Sequence, residues 1–173
     1  TGAADPGGRL PVTYPVALED TPAWPHYRPV DGEQRYGEGL LMGYRGFEAA
    51  GVAPQFPFGH GLSYGEVTWG EPEVSTTQVA PGGSVTVRVP LTNVGPRPAT
   101  VVVQGYVAPR APPVPRAPKD LRAWAKLVVE PGDATHATFE LTPEAFRRWD
   151  DTTHAWTVDP GRYELVIAAS ATD

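Results

Sequence analysis

The chain has 173 residues and carries 14 basic and 20 acidic side chains, a formal charge of −6. Its 21 Pro and 19 Gly favour turns over long helices, while five Phe, five Trp and seven Tyr supply enough apolar surface for a core and argue against disorder. The acidic balance without a basic cluster excludes a nucleic-acid partner, the lack of Cys excludes disulfides, thiolate metal sites and a cysteine nucleophile, and no apolar run reaches the ~18 residues of a membrane helix.

The first residues, Thr1 to Gly8, are turn-rich and lead into the short apolar run Leu10-Pro11-Val12-Thr13-Tyr14-Pro15. The abrupt start reads as an internal segment of a longer polypeptide or a processed product. Residues 1–15 show no basic-then-apolar signal pattern, which leaves a cytoplasmic or a secreted protein open. Residues 16–36 have no periodicity, and Pro22, Pro25 and Pro29 prevent helix and central strand alike. So long an irregular stretch fits a segment lying on a partner surface. The spacing then predicts a strand around Leu40–Arg45, breakers at Gly51 and Pro54, and an aromatic loop from Phe56 to Tyr64.

From residue 66 short β-favouring runs alternate with turn signals, the pattern of an all-β sandwich. The predicted strands are Glu66–Val74, Ser84–Asn93, Thr100–Ala108, Leu121–Val129, Thr135–Leu141, His154–Val158 and Arg162–Ala169. Val85, Val87, Val89 and Leu91 alternate with polar residues, so one face is buried, and Pro90 points to an edge strand or a bulge. A two-turn helix is expected from Thr142 to about Asp150-Asp151, with Thr142 as N-cap, Pro143 at its first position and Glu144 in the first turn. The proline-rich segment Ala108–Pro118 reads as a stiff extended loop.

Several motifs bear on chemistry. Gly61-Leu62-Ser63-Tyr64-Gly65 matches the serine-hydrolase pattern, but that elbow needs a strand before it and a helix after it, and here a strand-like run follows. The bland alternative is a tight glycine loop with a structural serine. His26, His60, His136 and His154 lack metal-ligand spacing, so no metal site or cofactor is expected, and His136 reads as surface. Among the acids, Asp150 and Asp151 are adjacent at the expected helix end, and Asp31, Glu33, Glu38, Glu71 and Glu73 all admit plain surface roles. Trp124 and Trp156 read as core residues of strands, with Trp24 and Trp149 open between core and sugar stacking.

The order of motifs carries a resemblance. Gly8 to Pro15, the run Tyr36-Gly37-Glu38-Gly39-Leu40-Leu41-Met42-Gly43-Tyr44-Arg45, and Pro54-Gln55-Phe56-Pro57-Phe58-Gly59-His60-Gly61-Leu62-Ser63-Tyr64 together resemble the end of the α/β sandwich domain of glycoside hydrolase family 3, the β-glucosidase-like enzymes. Leu91 to Gly95, Val103 to Val107, Pro118 to Trp124 and Trp156 to Tyr163 resemble the fibronectin type III-like domain that closes many of them. The chain departs from the family at Gly46-Phe47, where two aromatics are common, and at Gly65, where threonine is common.

The resemblance implies retaining hydrolysis of a terminal sugar, with the nucleophile and the acid/base residue both upstream of this segment. It therefore implies no catalytic residue in this chain. Glu38, Gly39, Gly43, Tyr44, Arg45, Phe56, Pro57, Phe58, Gly59, Gly61, Leu62, Ser63 and Tyr64 become structural motif residues. His60, Arg110 and Arg116 are candidates for a cleft or domain contact. The expected organisation is a tail of the α/β domain over residues 1–64 and a seven-stranded immunoglobulin-like or fibronectin type III-like β-sandwich over 65–173. The expected partners are the upstream catalytic domains and, through the assembled enzyme, a carbohydrate; neither nucleic acid nor membrane is expected. The competing reading is a stand-alone carbohydrate-binding or interaction module, and a serine esterase is the least favoured. The Ala/Pro/Gly/Arg-rich usage points to a high-GC bacterium.

Overall fold

The computed structural model describes residues 2–173. Among the described residues there are nine strands: β1 Val67–Trp69, β2 Glu73–Val74, β3 Val85–Asn93, β4 Ala99–Arg110, β5 Asp120–Val129, β6 Ala134–Leu141, β7 Arg148–Asp150, β8 Ala155–Thr157 and β9 Arg162–Ala168. Seven of them build two facing sheets. In one, β1 and β2 lie end to end along one side of β3, and β6 pairs with its other side. In the other, β4 lies between β5 and β9. The mainly β sandwich expected from the alternating runs is therefore present, with β7–β8 as a separate hairpin.

The period of two does what elementary packing requires. Val85, Val87, Val89 and Leu91 of β3 are buried against Val101, Val103 and Val107 of β4, with Ala137, Phe139 and Leu141 of β6 completing the core. Asn93 ends β3 and is buried, but its amide is fully engaged. Its Nδ2 donates to the carbonyls of Arg97 (2.7 Å) and Val129 (2.8 Å), and its Oδ1 accepts from Gly95 (2.9 Å).

Pro90 is neither at an edge nor in a bulge: β3 is the central strand. The proline sits opposite the break between β1 and β2, where Gly70 donates to its carbonyl at 2.9 Å. No ladder donor is missed there. The same break divides the single strand expected over Glu66–Val74, because Gly70 and Pro72 interrupt it.

One irregularity decides where the leading segment can dock. The β4–β5 register shifts between Gly105 and Tyr106, leaving Arg122 as the extra residue. Ala123, Ala125, Leu127 and Val129 face the sandwich core, but Leu121 falls opposite Tyr106 on the outer face. Gly105 itself faces Phe139 closely enough that a β-carbon would meet the ring at 2.6 Å.

Three local expectations are corrected. Leu40–Arg45 is not a strand: a turn leads to Gly43, whose φ of +54° starts helix α1, Tyr44–Ala50, and Gly51 at φ +65° ends it. Positive φ at Gly43 breaks the extended run, and Glu48-Ala49-Ala50 favours helix once Phe47 is buried. The helix expected from Thr142 is only a 3-10 turn, Pro143–Ala145. Arg148-Trp149-Asp150 pairs as β7 instead, because Trp149 meets Trp156 across the ladder and Arg148 meets Asp159. Trp124 and Trp156 are not core residues. Trp124 shares its parity with Arg122, Lys126 and Val128 and is 66% exposed; Trp156 is 57% exposed.

Candidate functional site

The chemically distinctive residues gather where residues 2–65 are bolted onto the outer face of the β5–β4–β9 sheet. At the first bolt, Asp5 accepts from the amides of Thr100 (2.6 Å) and Tyr64 (2.6 Å) and from the Ser63 hydroxyl (2.8 Å). Arg9 donates to the Thr100 carbonyl at 3.1 Å. Gly61 lies so close to the Gly8 carbonyl and Arg9 that a β-carbon would sit 2.6 Å from each. Ser63 is thus held by a carboxylate and is followed by β1, so its surroundings are those of a structural loop and not of a nucleophile elbow.

Desolvation opposes ionisation of Asp5, but the hydrogen bonds from Thr100, Tyr64 and Ser63 outweigh it and hold the carboxyl below its ordinary value of 3.8. A carboxyl depressed on folding stabilises fully above its unfolded pKa and loses that contribution as pH falls through the folded one. Acid should therefore release this bolt. Below about pH 4 the wild type should lose stability more steeply than Asp5→Asn. Urea midpoints at pH 3 and pH 7 check this, and parallel profiles would remove Asp5 from the account.

At the second bolt, α1 lies on β5. Arg45 Nε donates to Asp120 at 2.5 Å, and Arg122 reaches the other oxygen of the same carboxylate at 3.0 Å. The Tyr44 hydroxyl accepts from the Leu121 amide at 2.8 Å. Burial raises the Tyr44 phenol above its ordinary value, so it stays neutral there. Burial acts against the Arg45 charge, but the facing Asp120 carboxylate outweighs it and raises the guanidinium further. Lys119, nearly buried, lies 3.4 Å from Glu48 and over the Tyr106 ring.

Between the bolts sits an aromatic cluster. Tyr44 packs on Phe58 with centroids 5.2 Å apart and edge-on to Tyr106 at 5.7 Å. Tyr106 is fully buried and donates its hydroxyl to the Gln104 carbonyl oxygen, while the Gln104 amide donates to Ala169 at 2.9 Å. Desolvation pushes the Tyr106 phenol far up. Gly59, at φ +87°, lies directly against the Gln104 side chain, and the Phe58 carbonyl accepts from Ala171 at 2.9 Å.

The remaining motif residues divide by place. The Glu38 carbonyl accepts from Leu41 at 2.9 Å, and Gly39 takes φ +54° in that turn. Phe56 bridges to Tyr14, and its ring meets His60 at 5.1 Å, while the His60 carbonyl accepts from Leu10 at 2.9 Å. Phe56, Leu62 and Tyr64 stay exposed. Pro57 borders a groove of about 330 Å³ with Tyr44, Phe47, Lys119 and Thr13. Arg110 pairs with Glu164 across β4 and β9, and Arg116 donates to the Phe146 carbonyl at 3.4 Å, so both meet groups of the sandwich itself. Among the described residues no three His, Asp or Glu side chains form a metal cluster. Sequence reasoning gave Asp5 no role and placed Gln104, Lys119 and Asp120 only within the motifs that resemble the fibronectin type III-like domain.

A fibronectin type III-like domain matches residues 101–171. A β-glucosidase of Rhizobium radiobacter is 42% identical over 99% of the chain, which spans 21% of that protein. The crystal structure of a Bifidobacterium adolescentis GH3 β-glucosidase superposes with a TM-score of 0.91 at 30% identity, over 99% of this chain and 25% of that one. The chain is similar throughout to one segment of glycoside hydrolase family 3 β-glucosidases. DesR, a β-glucosidase from Streptomyces venezuelae crystallised with D-glucose, matches with a TM-score of 0.90 at 34% identity, over 99% of this chain and 22% of that one. Residues 101–171 correspond to the fibronectin type III-like part of such proteins, and the chain spans about a fifth of the length of the curated relatives it matches. Fungal β-glucosidases are among those relatives, so similarity alone does not single out a bacterial source.

Proposed function

We propose that this segment is the scaffold that seats the catalytic domains of a retaining β-glycosidase acting on terminal sugars, in a bacterial enzyme as the composition favours. Residues 65–173 act as the sandwich, and residues 1–64 act as the tail of the upstream α/β domain, bolted to the sandwich by Asp5 and Asp120. One observation carries the reading. The leading segment turns a row of large apolar side chains to solvent: Val16, Leu18, Tyr27, Tyr36, Leu40, Met42 and Leu62 are all more than half exposed. So much apolar surface on one irregular segment marks an interface, and the greater length of the relatives supplies the partner.

Complementation tests this. The chain alone should leave an aryl β-glucoside intact, and mixing it with the upstream portion of the same polypeptide should restore hydrolysis. Leu40→Glu and Leu62→Glu should each lower the restored rate at least tenfold, roughly 1.4 kcal/mol of lost association. An upstream portion fully active by itself, or variants that complement as well as wild type, would overturn the scaffold role.

A further inference from the structure

The hairpin β7–β8 stands off both sheets and carries chemistry the scaffold does not use. Trp149 and Trp156 are directly opposed in its ladder, and opposed residues share a face. Their rings meet edge to face, with centroids 5.6 Å apart and planes at 76°, forming an indole corner. Both remain open, at 45% and 57% exposure. The Arg147 guanidinium lies 4.6 Å from the Trp156 centroid and is steadied by Glu144 at 3.8 Å.

The corner is held stiffly. Arg148 makes two bonds to Asp159, Nε to Oδ2 at 2.8 Å and Nη2 to Oδ1 at 3.0 Å, which ties the hairpin to the turn before β9. Asp150 accepts from the Thr152 amide at 3.0 Å and closes the turn. The turn residues Asp151, Thr152, Thr153 and His154 are exposed.

We propose that this corner is a saccharide-binding site, accessory to hydrolysis, that takes a pyranose unit of a β-linked glucan. The choice of a β-glucan rests on the β-glycosidase reading above. The apolar patch is confined to the two half-open indoles, whose corner matches the apolar C–H face of one sugar ring. Charge decides against a strongly ionic ligand, since Arg147, the cation placed on the Trp156 ring, is already paired with Glu144. An uncharged ring with an apolar face and hydroxyls at its edge meets both the indoles and this ion pair.

Calorimetric titration of the 173-residue chain with cellopentaose tests the proposal without any hydrolysis. Saturable binding with a Kd of ~1–10 mM is expected. Trp149→Ala and Trp156→Ala should each weaken it by about tenfold or more, and Trp124→Ala, which removes an exposed indole outside the hairpin, should not. Trp156→Phe keeps an aromatic cross-strand partner and should weaken binding while preserving the far-ultraviolet circular dichroism, so a folding defect is separable. No saturable heat, or full affinity in the hairpin variants, would overturn the site and show that the indoles only pair the hairpin. Equal affinity for maltopentaose would keep a saccharide site and overturn its tie to β-linked glucans. Failed complementation by the scaffold would leave this titration readable.

Discussion

Gly59→Ala should unfold this chain more readily than any other single methyl addition in the aromatic loop. Two costs combine. Gly59 is at φ +87°, a left-handed conformation that costs an L-residue about 1 kcal/mol. Its new β-carbon would also collide with the Gln104 side-chain amide. Gln104 has no room to yield, because it is buried and already engaged by the Tyr106 hydroxyl and the Ala169 carbonyl. Moving it strands a buried phenol and a buried carbonyl, worth roughly 1–3 kcal/mol. The total of about 3 kcal/mol corresponds to a fall of roughly 6–12 °C in melting temperature for a chain of this size. Gly8→Ala is the internal control, since open space surrounds that position. Scanning calorimetry of the two variants decides: a loss under about 2 °C in Gly59→Ala would show that the loop can shift away from Gln104.

The sequence makes the sandwich legible because a half-buried strand must alternate. Val85 to Leu91 is the clearest case, and it is buried as the alternation requires. What the alternation cannot report is the length of the partner strand: Pro90 looked like an edge feature, yet the interruption is in β1 and β2. Nor can it report a bulge. Arg122 sits inside an apparently regular run, and only its displacement turns Leu121 toward Tyr106 and α1. The bolts were hidden for a related reason. Asp5 lies in the turn-rich lead and Asp120 just before the expected strand Leu121–Val129, and nothing local marks either, because their partners Thr100 and Arg45 are 95 and 75 residues away in the chain. The aromatic loop was visible as a motif, but which ring is covered was not: Phe58 packs on Tyr44, whereas Phe56 and Tyr64 remain open.

Removing the carboxylate of Asp120 should release α1, and it should cost more than removing either of its cations. Asp120 is 9% exposed and is shared by Arg45 at 2.5 Å and Arg122 at 3.0 Å. Arg122 Nε is buried without a partner already, so this guanidinium depends on Asp120 for its compensation. In Asp120→Ala two partly buried cations face each other without a counter-charge. Breaking a fully buried pair costs about 3–5 kcal/mol, and with the arginines about a quarter to a third exposed a loss of roughly 3 kcal/mol is expected. In Arg45→Ala the carboxylate keeps Arg122, and Tyr44 keeps its bond from Leu121, so about 1–2 kcal/mol should be lost. The order of the two losses is the diagnostic part. An energy held in one independent pair would give equal values for both variants, whereas a shared carboxylate gives the larger loss to Asp120→Ala. Amide exchange adds the location: in Asp120→Ala the amides of Tyr44–Ala50 should lose protection while those of Val85–Leu91 keep theirs. Equal unfolding midpoints for the two variants, or loss of protection in both elements together, would mean that α1 is held by the Phe58–Tyr44–Tyr106 cluster and not by the ion triad.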